Sequence, residues 1–256
     1  MSRVRLLRDG AVGRIILVRP ERSNALDRQM ADDLFAALAQ FESDPLCRVI
    51  HLGGEGDDFC VGADIDALEL SLDAGTDAHR ADAEAIGRVL LAIRALMKPV
   101  VCAVRGRALS SGAGLATACD MVLAHEGAEF GYPEVRLGLV SAMEMAVLRR
   151  AVGEKHAADL LLTGRIVSAE EAERIGLVSR VVPAATFDEE VNATLEQVSL
   201  SPATSLALTK WLFYKLDALS FEDGIAAGVV TSVEARATED FKAAVRRLTS
   251  RRPGNE

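Results

Sequence analysis

Three observations on this 256-residue chain predict a layered α/β core followed by an all-helical tail. Short apolar runs rich in β-branched residues alternate with stretches of helical period. One such run, Pro99-Val100-Val101-Cys102-Ala103-Val104, leads through Gly106 and the tiny residues Ser110-Ser111-Gly112-Ala113-Gly114 into the small-residue stretch Leu115-Ala116-Thr117-Ala118. From about residue 187 onward every pattern is helical. No sequence repeat of fixed period is visible, so periodicity gives no ground for a solenoid.

Taken in order, residues 13–18 read as a strand stopped at Arg19-Pro20, and Ser23-Asn24-Ala25-Leu26 as a turn. Asp27 is placed to cap a helix in which Met30, Leu34, Leu38 and Phe41 recur at spacings of four, four and three. Asp44-Pro45 ends that helix, residues 48–52 form the next strand, and Gly53-Gly54-Glu55-Gly56 turns the chain sharply. Residues 66–80 are acidic and irregular, suited to a mobile lid, and a long helix covers 82–96. Residues 121–124 are a strand, and Phe130-Gly131-Tyr132-Pro133-Glu134 leads into an apolar helix near 142–151. Residues 155–162 are helical, and Ser168-Ala169-Glu170-Glu171 fits a capping box for a helix ending before Gly176. Residues 178–182 are the last strand, and Pro202, Ser220 and Thr238 start successive helices.

The composition limits what such a chain does. Its formal net charge of −9 comes with no dense basic block apart from arginines near the C-terminus, which disfavours nucleic acid as a partner. The four cysteines, Cys47, Cys60, Cys102 and Cys119, lack metal-ligand spacing and read as buried free thiols of a reducing compartment. No signal peptide is visible, and no apolar run approaches the ~20 residues of a membrane span, so a cytoplasmic location is expected. His51, His79, His125 and His156 are scattered without ligand spacing, and no metal site is expected.

Two loops of small residues carry the functional signal. In 98–120 the order strand, tight turn, helix leaves main-chain N–H groups unpaired at the helix start, where the dipole favours negative charge. Tiny side chains there serve either close helix–strand packing or the close approach of a ligand oxygen. Phe59-Cys60-Val61-Gly62-Ala63-Asp64-Ile65 is the second such place. Common motifs fail: Gly54-x-Gly56 is followed by Phe59 where a dinucleotide fingerprint needs glycine. There is no phosphate-loop Gly-Lys-Ser/Thr, and Ser111 lacks the flanking glycines of a nucleophile elbow.

Asn24-Ala25-Leu26, 59–65, 106–120, Pro133-Glu134 and Gly138-Leu139 occur in an order and spacing that resembles the enoyl-CoA hydratase/isomerase, or crotonase, family. The resemblance continues through Leu162-Thr163-Gly164-Arg165, Ala169, Ala172 and Gly176-Leu177-Val178 into the helical C-terminus. It implies a crotonase-like spiral of ββα turns over 1–200 and a C-terminal helical segment, 201–256, used in trimer formation, with trimers often paired into hexamers. It implies acyl-CoA thioester substrates and an enolate held by two main-chain N–H groups, which fall on Ala63 and Ser111. CoA is then part of the substrate, and no separate cofactor is expected.

The carboxylates decide the reaction. Of the two glutamates usual in the family's hydratases, one falls on Glu134 and the other on Gly114, where it is missing. One carboxylate suffices for double-bond isomerisation, yet relatives with the same glycine are assigned to hydration. Glu144 lies in an otherwise apolar segment, Ala142-Met143-Glu144-Met145-Ala146-Val147-Leu148. A buried acid needs a partner or a pocket, so Glu144 either pairs with an arginine such as Arg149 or lines the acyl pocket in place of the missing glutamate. For the CoA moiety the resemblance implies contacts at Ala25, Asp64, Ile65 and Arg251, though the C-terminal arginines also read as an ordinary solvated face. Trp211, Phe213 and Tyr214 read as core or subunit interface. The expectation is an enoyl-CoA hydratase, with an enoyl-CoA isomerase and a non-catalytic acyl-CoA-binding protein as alternatives.

Overall fold

The computed structural model describes residues 2–250. Strands β1 (Val4–Asp9) and β2 (Val12–Leu17) form an antiparallel hairpin turned at Gly10, whose φ of 57° suits glycine. Parallel strands β3 (Val49–Gly54), β4 (Val100–Val104), β6 (Met121–His125) and β9 (Arg180–Val182) extend it into a six-stranded sheet ordered β1-β2-β3-β4-β6-β9. A second sheet is smaller, with β5 (Arg107–Leu109), β7 (Glu129–Gly131) and β8 (Ile166–Ser168) side by side. Cys60 joins its edge through a bridge to Ala108.

The chain visits the two sheets in turn and then crosses back by a helix. β4 and β5 are followed by α4 (Ser111–Ala118), and β6 and β7 by α5 (Ala142–Thr163). β3 and the Cys60 bridge are likewise followed by α2 (Ile65–Ser71) and α3 (Thr76–Ala95). This repetition of strand, strand, helix is a spiral built without sequence repetition. α1 (Arg28–Ser43) packs on α3 beside the large sheet, and Asp27 caps it by accepting a hydrogen bond from Met30 N at 2.8 Å, an interaction worth about 1 kcal/mol.

Alternation along the strands gives the sheet two buried faces. Ile50 and Leu52 of β3 and Val100, Cys102 and Val104 of β4 enter the main core with Met30, Leu34, Leu38 and Phe41 of α1. Val49, Val101 and Ala103 point the other way, against Phe187, Val191 and Leu195 of α7 (Phe187–Ser199). All four cysteines are free and buried, and burial pushes the Cys60 thiol up to about 12.

Several expectations are corrected. Residues 66–80 are not irregular: α2 occupies the first part, and α3 begins six residues earlier than 82, because its first turns are solvated and lack an apolar stripe. The edge strand β1 escaped detection because its outward residues are charged or exposed. The helices expected near 142–151 and over 155–162 do both form, as the two arms of α5 on either side of a non-helical break at Gly153, φ 74° and ψ 169°. The capping box is half formed, since Ser168 Oγ caps Glu171 N while the Glu171 carboxylate turns to Arg165.

Pro202, Ser220 and Thr238 do start the last helices, α8 (Ala203–Lys215), α9 (Phe221–Ala237) and α10 (Glu239–Ser250). Lys210 of α8 anchors this segment, its buried ammonium donating to Ile93 O, Lys98 O and Asp120 Oδ2 at 2.8, 2.9 and 2.7 Å. Tyr214 reaches the same Asp120, whereas Phe213 is exposed and so is not core. Among the described residues no helix is long and apolar enough to cross a membrane.

Candidate active site

The two small-residue loops meet. A Cβ added at Gly112 would stand 2.1 Å from Cys60 O, and one at Gly62 would stand 2.2 Å from Ser110 Cβ. Glycine at both positions is therefore a condition of their contact, and Gly62 also adopts φ 93°. Around this seam Cys60 N bonds Arg107 O at 3.1 Å and Leu109 N bonds Cys60 O at 2.9 Å. Ala63 is held from the other side: Leu26 N donates to Gly62 O and Asp64 N to Leu26 O, at 2.7 and 2.9 Å. Buried Asn24 staples the neighbouring loop, its Nδ2 donating to Glu55 O and Asp58 O. Among the described residues the Ala63 and Ser111 amides themselves donate to no protein acceptor.

A cavity of about 470 Å³ opens on this seam, and Ala63, Ser110, Ser111, Glu134 and Glu144 all line it. Val61, Leu68, Leu137, Leu139, Val140 and Met143 give it an apolar wall. Glu134 comes from the short 3₁₀ turn Pro133–Leu137 after β7, and Glu144 from the first turn of α5. Both side chains are buried, each held by one of two adjacent serine hydroxyls. Ser110 Oγ donates to Glu134 Oε1 at 2.8 Å, and Ser111 Oγ to Glu144 Oε1 at 2.6 Å. Glu134 Oε2 is buried without a partner among the described residues.

Gly114 explains how Glu144 comes to be here. A Cβ at 114 would lie 2.4 Å from Glu144 Cγ, so the missing side chain leaves the space that Glu144 fills. The alternative partner, Arg149, pairs with Glu154 instead. Burial raises the Glu144 carboxyl above its ordinary value; the Ser111 hydroxyl opposes this and the nearby Glu134 charge adds to it. Behind the pair, burial and then the two glutamates push the Tyr132 phenol up, while its OH meets Thr117 Oγ1 at 2.8 Å.

The expected CoA positions are distributed differently. Ala25, Asp64 and Ile65 line the same cavity, with Arg22 and Arg107. The Asp64 carboxylate is committed elsewhere: it caps α2 and pairs with Arg19 Nη2 at 2.8 Å. Burial pushes the Asp64 carboxyl up, but Arg19 and the Ala67 and Asp66 amides outweigh that and hold it below the ordinary carboxylate value. Ala25 O accepts from Arg19 Nη1, and the Ile65 side chain is exposed. Arg251 lies outside the described residues.

Sequence reasoning passed over Ser110. Its φ of 55° and ψ of −131° are unusual for any residue but glycine, and the hint in sequence is only that a serine stands inside a turn of tiny residues.

The sequence profile of the enoyl-CoA hydratase/isomerase family matches residues 8–254. A Thermus thermophilus protein provisionally named enoyl-CoA hydratase is 41% identical over 244 residues, which span 95% of this chain and 96% of that protein. Enoyl-CoA hydratase domain-containing protein 3 of Xenopus laevis is 30% identical over 247 residues, 96% of this chain and 83% of that protein. Among solved structures, an enoyl-CoA hydratase of Mycobacterium smegmatis superposes with a TM-score of 0.93 at 30% identity, covering 98% of each chain. Human enoyl-CoA hydratase domain-containing protein 3 superposes at 0.92 with 28% identity, covering 98% of this chain and 99% of that one.

Proposed function

The chain belongs to the enoyl-CoA hydratase/isomerase family, and on that premise we propose that it hydrates a 2-enoyl-CoA thioester using Glu134 and Glu144 together. The observation that carries this reading is the pair of buried carboxylates on one cavity, each tied by one oxygen to a serine hydroxyl. An isomerisation needs only one such acid; a second gives the addition of water separate groups to take a proton and to give one.

The thioester oxygen is received by the Ala63 and Ser111 amides, whose availability supports the assignment. Donors of this kind act on charge that develops during reaction, and losing one typically costs ~10²–10³ in rate. Glu134 Oε2 takes a proton from water as the water oxygen bonds to C3. The C2–C3 π pair moves to C2 and, by conjugation, onto the thioester oxygen as an enolate. Glu144, whose carboxyl is raised above its ordinary value chiefly by burial, is the group assigned to deliver a proton to C2. The product has gained H and OH, and the enzyme has exchanged one proton between two carboxylates, which re-equilibrate after release.

The expected homo-oligomer finds support in α9, where Phe221, Ile225, Val229 and Val233 recur every four residues and are each more than half exposed. A trimer covering this stripe would be read directly by light scattering.

Crotonyl-CoA hydration and 3-enoyl-CoA isomerisation, assayed side by side, test the reaction. Hydration should dominate, and Glu134→Gln should lower it by ~10²–10⁴. Isomerisation alone, or acyl-CoA binding without turnover of any substrate, would overturn the assignment.

A further inference from the structure

We propose that Ser110 is a positioning residue for Glu134, its hydroxyl fixing which carboxylate oxygen faces the substrate. This rests on the two-carboxylate reading above. Three observations carry it. The Ser110 hydroxyl donates to Glu134 Oε1, so one oxygen of that acid is occupied and the other is not held by the serine. That other oxygen, Oε2, is buried and unpartnered among the described residues.

The second observation is strain. Ser110 is held at φ 55°, where a side chain is costly and glycine is not. A residue that only had to close this turn would be better served by glycine; the Cβ gives nothing but a stem for the hydroxyl. The third is the room made for it. Gly62, itself at φ 93°, leaves the space in which the Ser110 side chain sits, since a Cβ at 62 would overlap Ser110 Cβ at 2.2 Å. Ser110 N is fixed as well, donating to Gly131 O at 2.8 Å on the strand that leads to Glu134. Backbone and hydroxyl thus tie one residue to both ends of the segment carrying the base.

A carboxylate freed of this hydrogen bond would rotate about its terminal torsion, so productive geometry would be visited less often while binding of the thioester stayed the same. The loss belongs in kcat and not in KM. Hydrogen bonds to charged groups of this kind correspond to a change of about 10- to 100-fold.

The test uses Ser110→Gly and Ser110→Ala in the full-length enzyme, with crotonyl-CoA hydration and thermal melting. Both lack the hydroxyl, and only alanine keeps the strained Cβ. Glycine should therefore melt above alanine by about 2–4 °C. Both should nevertheless lose kcat by the same 10- to 100-fold, with KM within about twofold of wild type. Wild-type kcat in Ser110→Gly, or a kcat that follows melting temperature from one variant to the other, would overturn the proposal. Glu134→Gln measured alongside separates the two levels. If it is inactive while Ser110→Gly is fully active, only the serine's role fails; if it is active, the reading beneath fails.

Discussion

Replacing Gly114 by alanine tests the placement of Glu144 without altering either carboxylate. The new Cβ would stand 2.4 Å from Glu144 Cγ, where ordinary contact begins near 3.4 Å, so the side chain must retreat by about 1 Å. It has little freedom to do so, because Ser111 Oγ holds its carboxylate at 2.6 Å and the residue is only 2% exposed. Misplacing a reacting group by that distance costs on the order of 10²-fold in rate. The fold is far less affected. Alanine favours a helix over glycine by about 1 kcal/mol, against about 1–3 kcal/mol for the overpacking. The assay is steady-state hydration of crotonyl-CoA by the four enzymes of a double-mutant cycle, Gly114→Ala with and without Glu144→Ala. Once Glu144 is truncated the severe clash is gone and only its Cβ, at 3.2 Å, stays close, so Gly114→Ala should add little further loss in that background. An unchanged kcat in Gly114→Ala, or the same loss in both backgrounds, would refute the claim that Glu144 acts from this position.

Two further outcomes follow from the same contacts. Burial first, with the Glu134 charge beside it, holds the Glu144 carboxyl above its ordinary 4.5, so its contribution to stability is full below the unfolded value and lost as pH rises through the folded one. The melting temperature of wild type relative to Glu144→Gln should therefore fall from acidic to neutral pH, and a constant difference would contradict the assignment. Lys210→Met strips the buried partner from Asp120 and leaves two main-chain carbonyls of the core without their donor. It should cost about 3–5 kcal/mol in chemical denaturation, and a loss under about 1 kcal/mol would mean that α8 is anchored by other contacts.

Much of this architecture is legible in the sequence because burial is periodic. β4 is a continuous apolar run since both of its faces are covered, and α1 shows its stripe since one face meets the sheet. The failures have equally local causes. β1 is an edge strand with solvated arginines, β5, β7 and β8 are three residues each, and the start of α3 has no buried face to give it a pattern. At the site, the two loops announced themselves through their tiny residues, but what those residues permit did not. That Gly62 makes room for Ser110, and Gly114 for Glu144, depends on segments 48 and 30 residues apart in the chain coming into contact. Glu144 stood out only as an acid in an apolar run; its serine partner and the vacancy it fills belong to the fold.

The most direct test of the account is a crystal structure with an unreactive acyl-CoA thioester bound. The thioester oxygen should lie about 2.7–3.1 Å from both Ala63 N and Ser111 N. C2 and C3 should then face the free oxygens of Glu134 and Glu144, directly or through one water. A thioester oxygen that meets only one of those amides, or acyl carbons lying out of reach of either glutamate, would contradict it.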